Sequence, residues 1–404
     1  MKIAIFAEHL EDEALEQFNE AMSLECNVQG ALMPDAHTGY TLPIGAVIKS
    51  RETVFPAYVG YDIGCGMCAV QVFVDKSKLD LEKLKNDIIE KIPVGFNRHK
   101  ERKLVPWDHD ASDVTLEVLD SIGVYQIGTL GGGNHFIEIG ESEPGSIWII
   151  IHSGSRGFGH KVAERYMKLA SQQHIYVEKL EEKFLSKNKD LFKHNPDRYN
   201  ENLRRFIENE KLKASKNIEG HFGLDINSEI GKQYLIDMGL CLEFALQNRL
   251  NMVSEILTSI FKQVGVVSRG EIINRNHNHA EVKYEDDGVY VIHRKGATHA
   301  EKEMAGVIPG NMRDGSFIVR GLGNEDSLCS SSHGAGRVLS RKKAKETIDI
   351  SKFHKEMEGI VSNHNDDTID EAPDAYKNIF EVMDLQKDLV TVEAHVKPIL
   401  NIKG

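Results

Sequence analysis

The sequence predicts an α+β protein: one catalytic domain, residues 1–404, built of β-sheets with flanking helices and a helical insertion at about 160–263. Three observations carry this. Short runs rich in β-branched and apolar residues recur in both flanks of the chain. Lys- and Glu-rich sequence with helical spacing fills the middle. The residues suited to chemistry fall before His160 and after Asn276, so the two flanks make one body rather than two independent domains.

Element by element, residues 2–7 and 43–48 read as strands, as do 68–74, 147–151, 289–293 and 316–320. Residues 12–22 and 78–91 carry helical spacing and charge. Inside the helical block a polar interruption falls at Asn195-Pro196. Farther on, Leu235, Met238, Leu242, Ala245, Val253, Ile256 and Ile260 recur at three- and four-residue steps or multiples of them, a stripe that faces a core rather than a cofactor. No internal repeat and no low-complexity segment interrupts this plan.

Bulk properties narrow the function. A hydrophobic share of 41% and a charged share of 27% are those of an ordinary globular protein. No apolar run approaches the ~20 residues of a membrane span. The first residues turn acidic at once, unlike a secretory signal, so a cytoplasmic protein without membrane partners is expected. The five cysteines (Cys26, Cys65, Cys68, Cys241, Cys329) are too scattered for a disulfide scaffold. Cys65-Gly66-Met67-Cys68 is a CxxC, but a strand-like run follows it instead of a helix, which favours metal ligation by Cys65 over redox chemistry. Cys68 is expected on the opposite face of that strand. The net charge of −13 excludes nucleic-acid coating by bulk positive charge, though not a local basic cleft.

The candidate chemistry centres on Ser331-Ser332-His333-Gly334-Ala335-Gly336-Arg337 and on Asp62-Ile63-Gly64-Cys65-Gly66. His135, His152 and His277 sit at similar junctions marked by glycine, asparagine or a strand end. Any lone histidine among 18 is more often a satisfied polar residue than a ligand. Taken together, a carboxylate, a thiolate and three imidazoles suit Zn, Mn, Fe or Co. A bridging thiolate would give Asp62, Cys65 and His135 to one ion and Cys65, His152 and His277 to another, an arrangement that serves transfer at phosphorus. There is no Gly-x4-Gly-Lys-Ser/Thr loop and no His-Glu-x-x-His helix. The nearest match to a lysine nucleotidyl-transfer motif, Met312-Arg313-Asp314-Gly315, has methionine where the lysine would stand.

Longer motifs are familiar. Met33-Pro-Asp-Ala-His37, Gly60-Tyr-Asp-Ile-Gly-Cys-Gly-Met67, Gly128-Thr-Leu-Gly-Gly-Gly-Asn-His-Phe-Ile-Glu138 and His152-Ser-Gly-Ser-Arg-Gly157 resemble the RtcB-type RNA ligases. Arg294-Lys-Gly-Ala297, Phe317-Ile-Val-Arg-Gly-Leu-Gly-Asn324, Ser332-His-Gly-Ala-Gly-Arg337 and Lys403-Gly404 do so too, in order along nearly the whole chain. The resemblance implies a GTP-dependent ligase with two Mn2+ ions and an RtcB-like α+β fold. It would join RNA 3′-phosphate or 2′,3′-cyclic phosphate ends to 5′-hydroxyl ends, in tRNA splicing or RNA repair. It implies His333 as the nucleophile that carries GMP. Asn134, His135, Phe136, Ile137 and Glu138 would line the nucleotide, with His277, Asn278, Pro309, Gly310, Asn311, Met312 and Ser316. His333, Gly334, Ala335 and Gly336 would complete that lining, and Lys403 would meet the guanine. The resemblance also implies the metal set Asp62, Cys65, His135, His152 and His277, and it raises an archease-type activator as a partner. Arg156 and Arg337 are candidate clamps for RNA phosphates.

Beside the family pattern the chain starts late. Thr41 stands where glycine is common, Asn276 where many members carry histidine, and Asn311 and Arg313 replace a serine and a glycine of the nucleotide loop. The alternative reading is a metal-dependent phosphohydrolase that acts on cyclic or terminal RNA phosphates with no covalent nucleotide. A third is a non-catalytic RNA-binding subunit.

Overall fold

A computed structural model describes residues 2–103, 110–143, 145–174, 177–214 and 218–404. The helical block expected at 160–263 includes 175–176 and 215–217, which lie outside the described residues. In chain order the strands are β1 (Lys2–Ile5), β2 (Asn27–His37), β3 (Ile44–Arg51), β4 (Thr53–Val54), β5 (Gly66–Phe73), β6 (Phe136–Glu143), β7 (Ser146–Ser153) and β8 (Leu224–Asp225). They continue as β9 (Ser268–Asn276), β10 (Asn278–Glu285), β11 (Gly288–Lys295), β12 (Ala297–His299), β13 (Ala305–Pro309), β14 (Ser316–Gly321), β15 (Ser330–Ser332), β16 (Val361–Ser362) and β17 (Val390–Lys403).

Two larger sheets result, both mostly antiparallel, in an α+β architecture. The order β1-β2-β3-β11-β10 forms one. The order β13-β14-β17-β6-β7-β5-β9, with β16 on β17, forms the other, and it curls until β13 meets β9 at the far edge. Every expected strand appears within a few residues of its expected limits, and the two expected helices are Asp12–Met22 and Leu81–Lys91. Asp80 caps the second by accepting from Lys83 N.

The 36-residue helix Glu229–Val264 explains the apolar stripe. Its Met252, Val253, Ile256 and Ile260 pack on Val70, Ile149 and Ile151 of the curled sheet, with Leu84 and Ile88 of the Leu81–Lys91 helix completing the layer. Cys68 lies in this same layer, fully buried and away from Cys65. Nearer its start the long helix packs through Tyr234, Met238 and Phe244 against Phe158, Tyr166 and Met167 of the helix Arg156–Gln173. The Asn195-Pro196 interruption is the join between helices Lys189–His194 and Pro196–Ala214.

Register brings the chemistry together. β5 pairs Gly66 with both Ser153 and Asn276, while Phe136 pairs with both His152 and Lys403. Cys65, His135, His152, His277 and Lys403 therefore meet at one end of neighbouring strands.

Candidate active site

The imidazoles at that end are aimed by the main chain. A carbonyl oxygen only accepts, so His135 Nδ1 donates to Leu130 O and His152 Nδ1 donates to Asn134 O, each at 3.0 Å. The Nε2 lone pairs are thereby turned inward, the arrangement of a ligating histidine. Cys65 Sγ lies 3.4 Å from His135 Nε2 and 3.2 Å from His152 Nε2. Asp62 Oδ2 is 3.1 Å from His135 Nε2, and His277 Nε2 is 3.3 Å from His152 Nε2. The five residues expected as ligands thus converge around the thiol, Asp62 beside His135 and His277 beside His152. His277 Nδ1 is buried without a hydrogen-bond partner.

The electrostatics suit a cation. Burial and the neighbouring Asp62 carboxylate push the Cys65 thiol well above its ordinary range. A thiolate becomes stable there only beside positive charge. Burial and surrounding imidazoles hold His152 and His277 well below the usual histidine range, which leaves them neutral and ligand-competent.

Behind this cluster stands Arg249 of the long helix, fully buried. It donates to Gly64 O (3.0 Å), Ser153 O (2.8 Å), Asn274 Oδ1 (2.7 Å) and Asn276 Oδ1 (2.7 Å). One guanidinium therefore ties together the segments that carry Cys65, His152 and His277. The adjacent Asn248 accepts from Gly128 N and Thr129 N and donates to Thr129 O, Ser153 Oγ and Gly154 O. A Cβ at Gly154 would overlap the Asp62 carboxylate, so glycine there leaves that carboxylate its place.

His333 follows β15, its ring centroid 4.8 Å from that of His277. Asp35 of β2, fully buried, accepts from His333 Nδ1 (2.6 Å), His333 N (3.1 Å) and Gly334 N (3.2 Å). Burial alone would raise Asp35, but the His333 imidazole beside it prevails and keeps its carboxyl below the usual range. With Nδ1 protonated against Asp35, His333 Nε2 carries the lone pair.

A pocket opens at His333, bounded by Asn134, Phe136, Pro309, Gly310, Gly334, Ala335, Gly336 and Lys403. It continues past Glu138, Asn311 and Met312. Asn278 and His277 line a neighbouring opening on the other side of His333. Ser316 is fully buried beneath Glu138. Strand alternation turns the Ile137 side chain into the apolar layer while Phe136 and Glu138 face the pocket. Lys403 Nζ sits 3.0 Å from Glu371 Oε2 and 4.9 Å from the Phe136 ring centroid.

Of the two expected clamps, Arg156 borders a separate opening with Asp62, His135 and the exposed Phe96. Arg337 lines the His333 pocket, but its guanidinium donates to Glu371 Oε1 (3.0 Å) and Asp370 O (2.7 Å). That engagement holds Glu371, which in turn pairs with Lys403. The replaced loop residues also turn inward on themselves: Asn311 Oδ1 caps Arg313 N and Asp314 N, and Arg313 pairs with Asp314 and Glu356. Thr41 adopts φ 60°, the left-handed backbone that glycine would hold without strain.

Comparison with known proteins gives the family. The family described as tRNA-splicing ligase RtcB matches residues 17–122 and 107–404. The chain belongs to the RtcB family. RNA-splicing ligase RtcB of Escherichia coli (strain K12) is 32% identical over 401 residues, 93% of this chain and 90% of that protein. The tRNA-splicing ligase RtcB of Nanoarchaeum equitans is 28% identical, spanning 92% of this chain and 87% of its own. RNA-splicing ligase RtcB homolog 1 of Entamoeba dispar is 27% identical, with 96% and 81% covered.

In this RtcB family member several site residues escaped sequence reasoning: Asp35, Asn248, Arg249 and Glu371. Two left a trace. Asp35 is a carboxylate inside Met33-Pro-Asp-Ala-His37, and Arg249 sits four residues from both Ala245 and Val253, inside the apolar stripe.

Glu138 offers a test of the RtcB pocket's electrostatics. Burial pushes its carboxyl up to about 8, against the opposing pull of Ser316, Lys403 and Asn401. The folded state thus holds a proton that the unfolded state has lost, so this residue's contribution falls as pH rises from the ordinary carboxylate range through about 8. Glu138→Gln removes that dependence. Its melting temperature should gain on the wild type's between roughly pH 5 and roughly pH 8, and parallel curves would refute the assignment.

Proposed function

We propose that the chain is an RNA ligase, dependent on GTP and Mn2+, that joins 3′-phosphate or 2′,3′-cyclic phosphate ends to 5′-hydroxyl ends through GMP held on His333. The observation that carries this reading is the His333–Asp35 pair at the mouth of a glycine-lined pocket, in contact with His277. His333 Nε2 attacks the α-phosphorus of GTP; a P–N bond forms and the bond to pyrophosphate breaks. Asp35 keeps the ring oriented and balances the positive charge that the imidazole gains. An RNA 3′-phosphate oxygen then takes the GMP, breaking the P–N bond. Finally the 5′-hydroxyl attacks the 3′-phosphate phosphorus and expels GMP. A cyclic phosphate end is first opened by water.

Two divalent ions, held by Asp62, Cys65 and His135 and by Cys65, His152 and His277, would neutralise charge on the phosphate oxygens. Lys403 and Glu138 match the guanine edge, with its O6 acceptor and N–H donors. Binding of those donors draws Glu138 toward the ionised form. Arg156, beside the ligand cluster, is the candidate for meeting an RNA phosphate. A hydrolase without a covalent nucleotide would leave the His333–Asp35 pair without a task.

The deciding experiment offers broken RNA whose 3′ end is a phosphate, a cyclic phosphate or a hydroxyl. Sealing of the first two with GTP and Mn2+, and none of the hydroxyl end, is expected. Release of inorganic phosphate without sealing would overturn the reading. Cys65→Ser should lose guanylylation while its melting curve stays close to the wild type's, because the isosteric hydroxyl is a poor bridging ligand at neutral pH. Full labelling of that variant would reject the bridging role.

A further inference from the structure

A second cluster of metal-type donors lies outside the centre just described. We propose that His279, Glu281 and His299 form a separate site for a divalent transition ion of the zinc or cobalt class, which ties β10 to the paired strands β12 and β15.

His279 and Glu281 are two apart on β10 and so share a face. His299 ends β12, where it pairs with Ser330 of β15. One ligand atom from each of the three lies within 4.8 Å of the others. His299 Nε2 is 2.9 Å from Glu281 Oε2, and the two imidazole centroids are 5.0 Å apart. His279 is only 7% exposed, and its Nδ1 is buried with no hydrogen-bond partner. A buried imidazole nitrogen without a partner is costly in a folded protein unless something else satisfies the ring. Two imidazoles and one carboxylate form a donor set that zinc and its neighbours accept, with further positions open to water.

The surroundings support a held carboxylate. Arg294, buried, donates from Nη1 to Glu281 Oε2 (3.1 Å) and anchors itself through Ser330 Oγ (2.9 Å) and Leu328 O (3.1 Å). This fixes the Glu281 plane as an outer-shell partner does. Lys283 now occupies Glu281 Oε1 at 2.5 Å, but Glu301 stands 3.5 Å from the same ammonium. When an ion takes Oε1, Lys283 has a second carboxylate to move to. The location gives the ion a purpose: β10 starts directly after His277, and β15 ends directly before His333. An ion here would brace the two segments against each other from behind the reaction centre.

The test uses the full chain, stripped with chelator and then equilibrated with Zn2+ or Co2+, and counts bound metal by mass spectrometry. It is done in the Cys65→Ser background, where the bridged centre is disabled. We expect that protein to keep a bound ion whose Co2+ spectrum lacks a thiolate-to-metal band. His299→Ala, and separately Glu281→Gln, should weaken that ion on the order of tenfold or more while circular dichroism confirms the fold. His299 and Glu281 are partly exposed, so at least one of these variants is expected to fold. The proposal is overturned if Cys65→Ser retains no ion, or if neither folded variant changes the affinity of the ion that remains.

Discussion

His333→Ala should carry no radiolabel after incubation with [α-32P]GTP and Mn2+, whereas the wild type carries label that acid removes. The variant deletes the only imidazole that combines a carboxylate-bound Nδ1 with a position at the pocket mouth among the described residues. The more searching comparison is Asp35→Asn. It preserves size but lets the amide present a donor to Nδ1, which favours the tautomer with its proton on Nε2. Labelling should fall on the order of 10²–10⁴-fold with little change in GTP affinity, because Asp35 acts through His333 and does not meet the nucleotide. Asp35→Asn labelling at the wild-type rate would show that the ring needs no such partner. Label persisting on His333→Ala would move the nucleophile elsewhere and end the covalent mechanism at this residue.

Arg249→Met is expected to produce the largest loss of stability. The replacement has similar length and suits an apolar helix face, yet it leaves two main-chain oxygens and two amide oxygens without their donor. Burial already pushes this guanidinium down to about 10, the consequence of holding a charge away from water. Each buried acceptor left unsatisfied costs on the order of 1–3 kcal/mol, so the loss should reach several kcal/mol. The effect should not stop at stability. Gly64, Ser153 and Asn276 adjoin Cys65, His152 and His277, so metal affinity should fall on the order of 10–100-fold even at a temperature where the variant is folded. A melting curve unchanged from the wild type would refute the bracing role, and so would unchanged metal affinity in the folded variant.

What the sequence made legible follows from how local each signal is. Strands such as Ser146–Ser153 announce themselves through a run of four isoleucines and a tryptophan, and the long helix through its apolar stripe. β2 and β17 gave weaker signals because Pro34 and Pro398 interrupt them, and in both strands the register shifts near the proline. The candidate ligand residues stood out because glycine and asparagine mark the turns that carry them. Asp35 and Arg249 were not, since each acts on a residue far away in sequence: Asp35 on His333, and Arg249 on Gly64, Ser153 and Asn276. The direction of the Ile137 side chain was hidden for a different reason. A contiguous motif does not say which of its residues alternate inward, and pairing with β7 and β17 decides that.

The carbonyls of Leu130 and Asn134 that hold His135 and His152 are peptide groups, and point mutation cannot delete a peptide group. Ring orientation at the two histidines is therefore inherited from the path of the backbone, not from a replaceable neighbour. Attempts to redirect these two rings by editing outer side chains should find little purchase. A designer would have to exchange a ligand outright or reroute the glycine-rich segment between them.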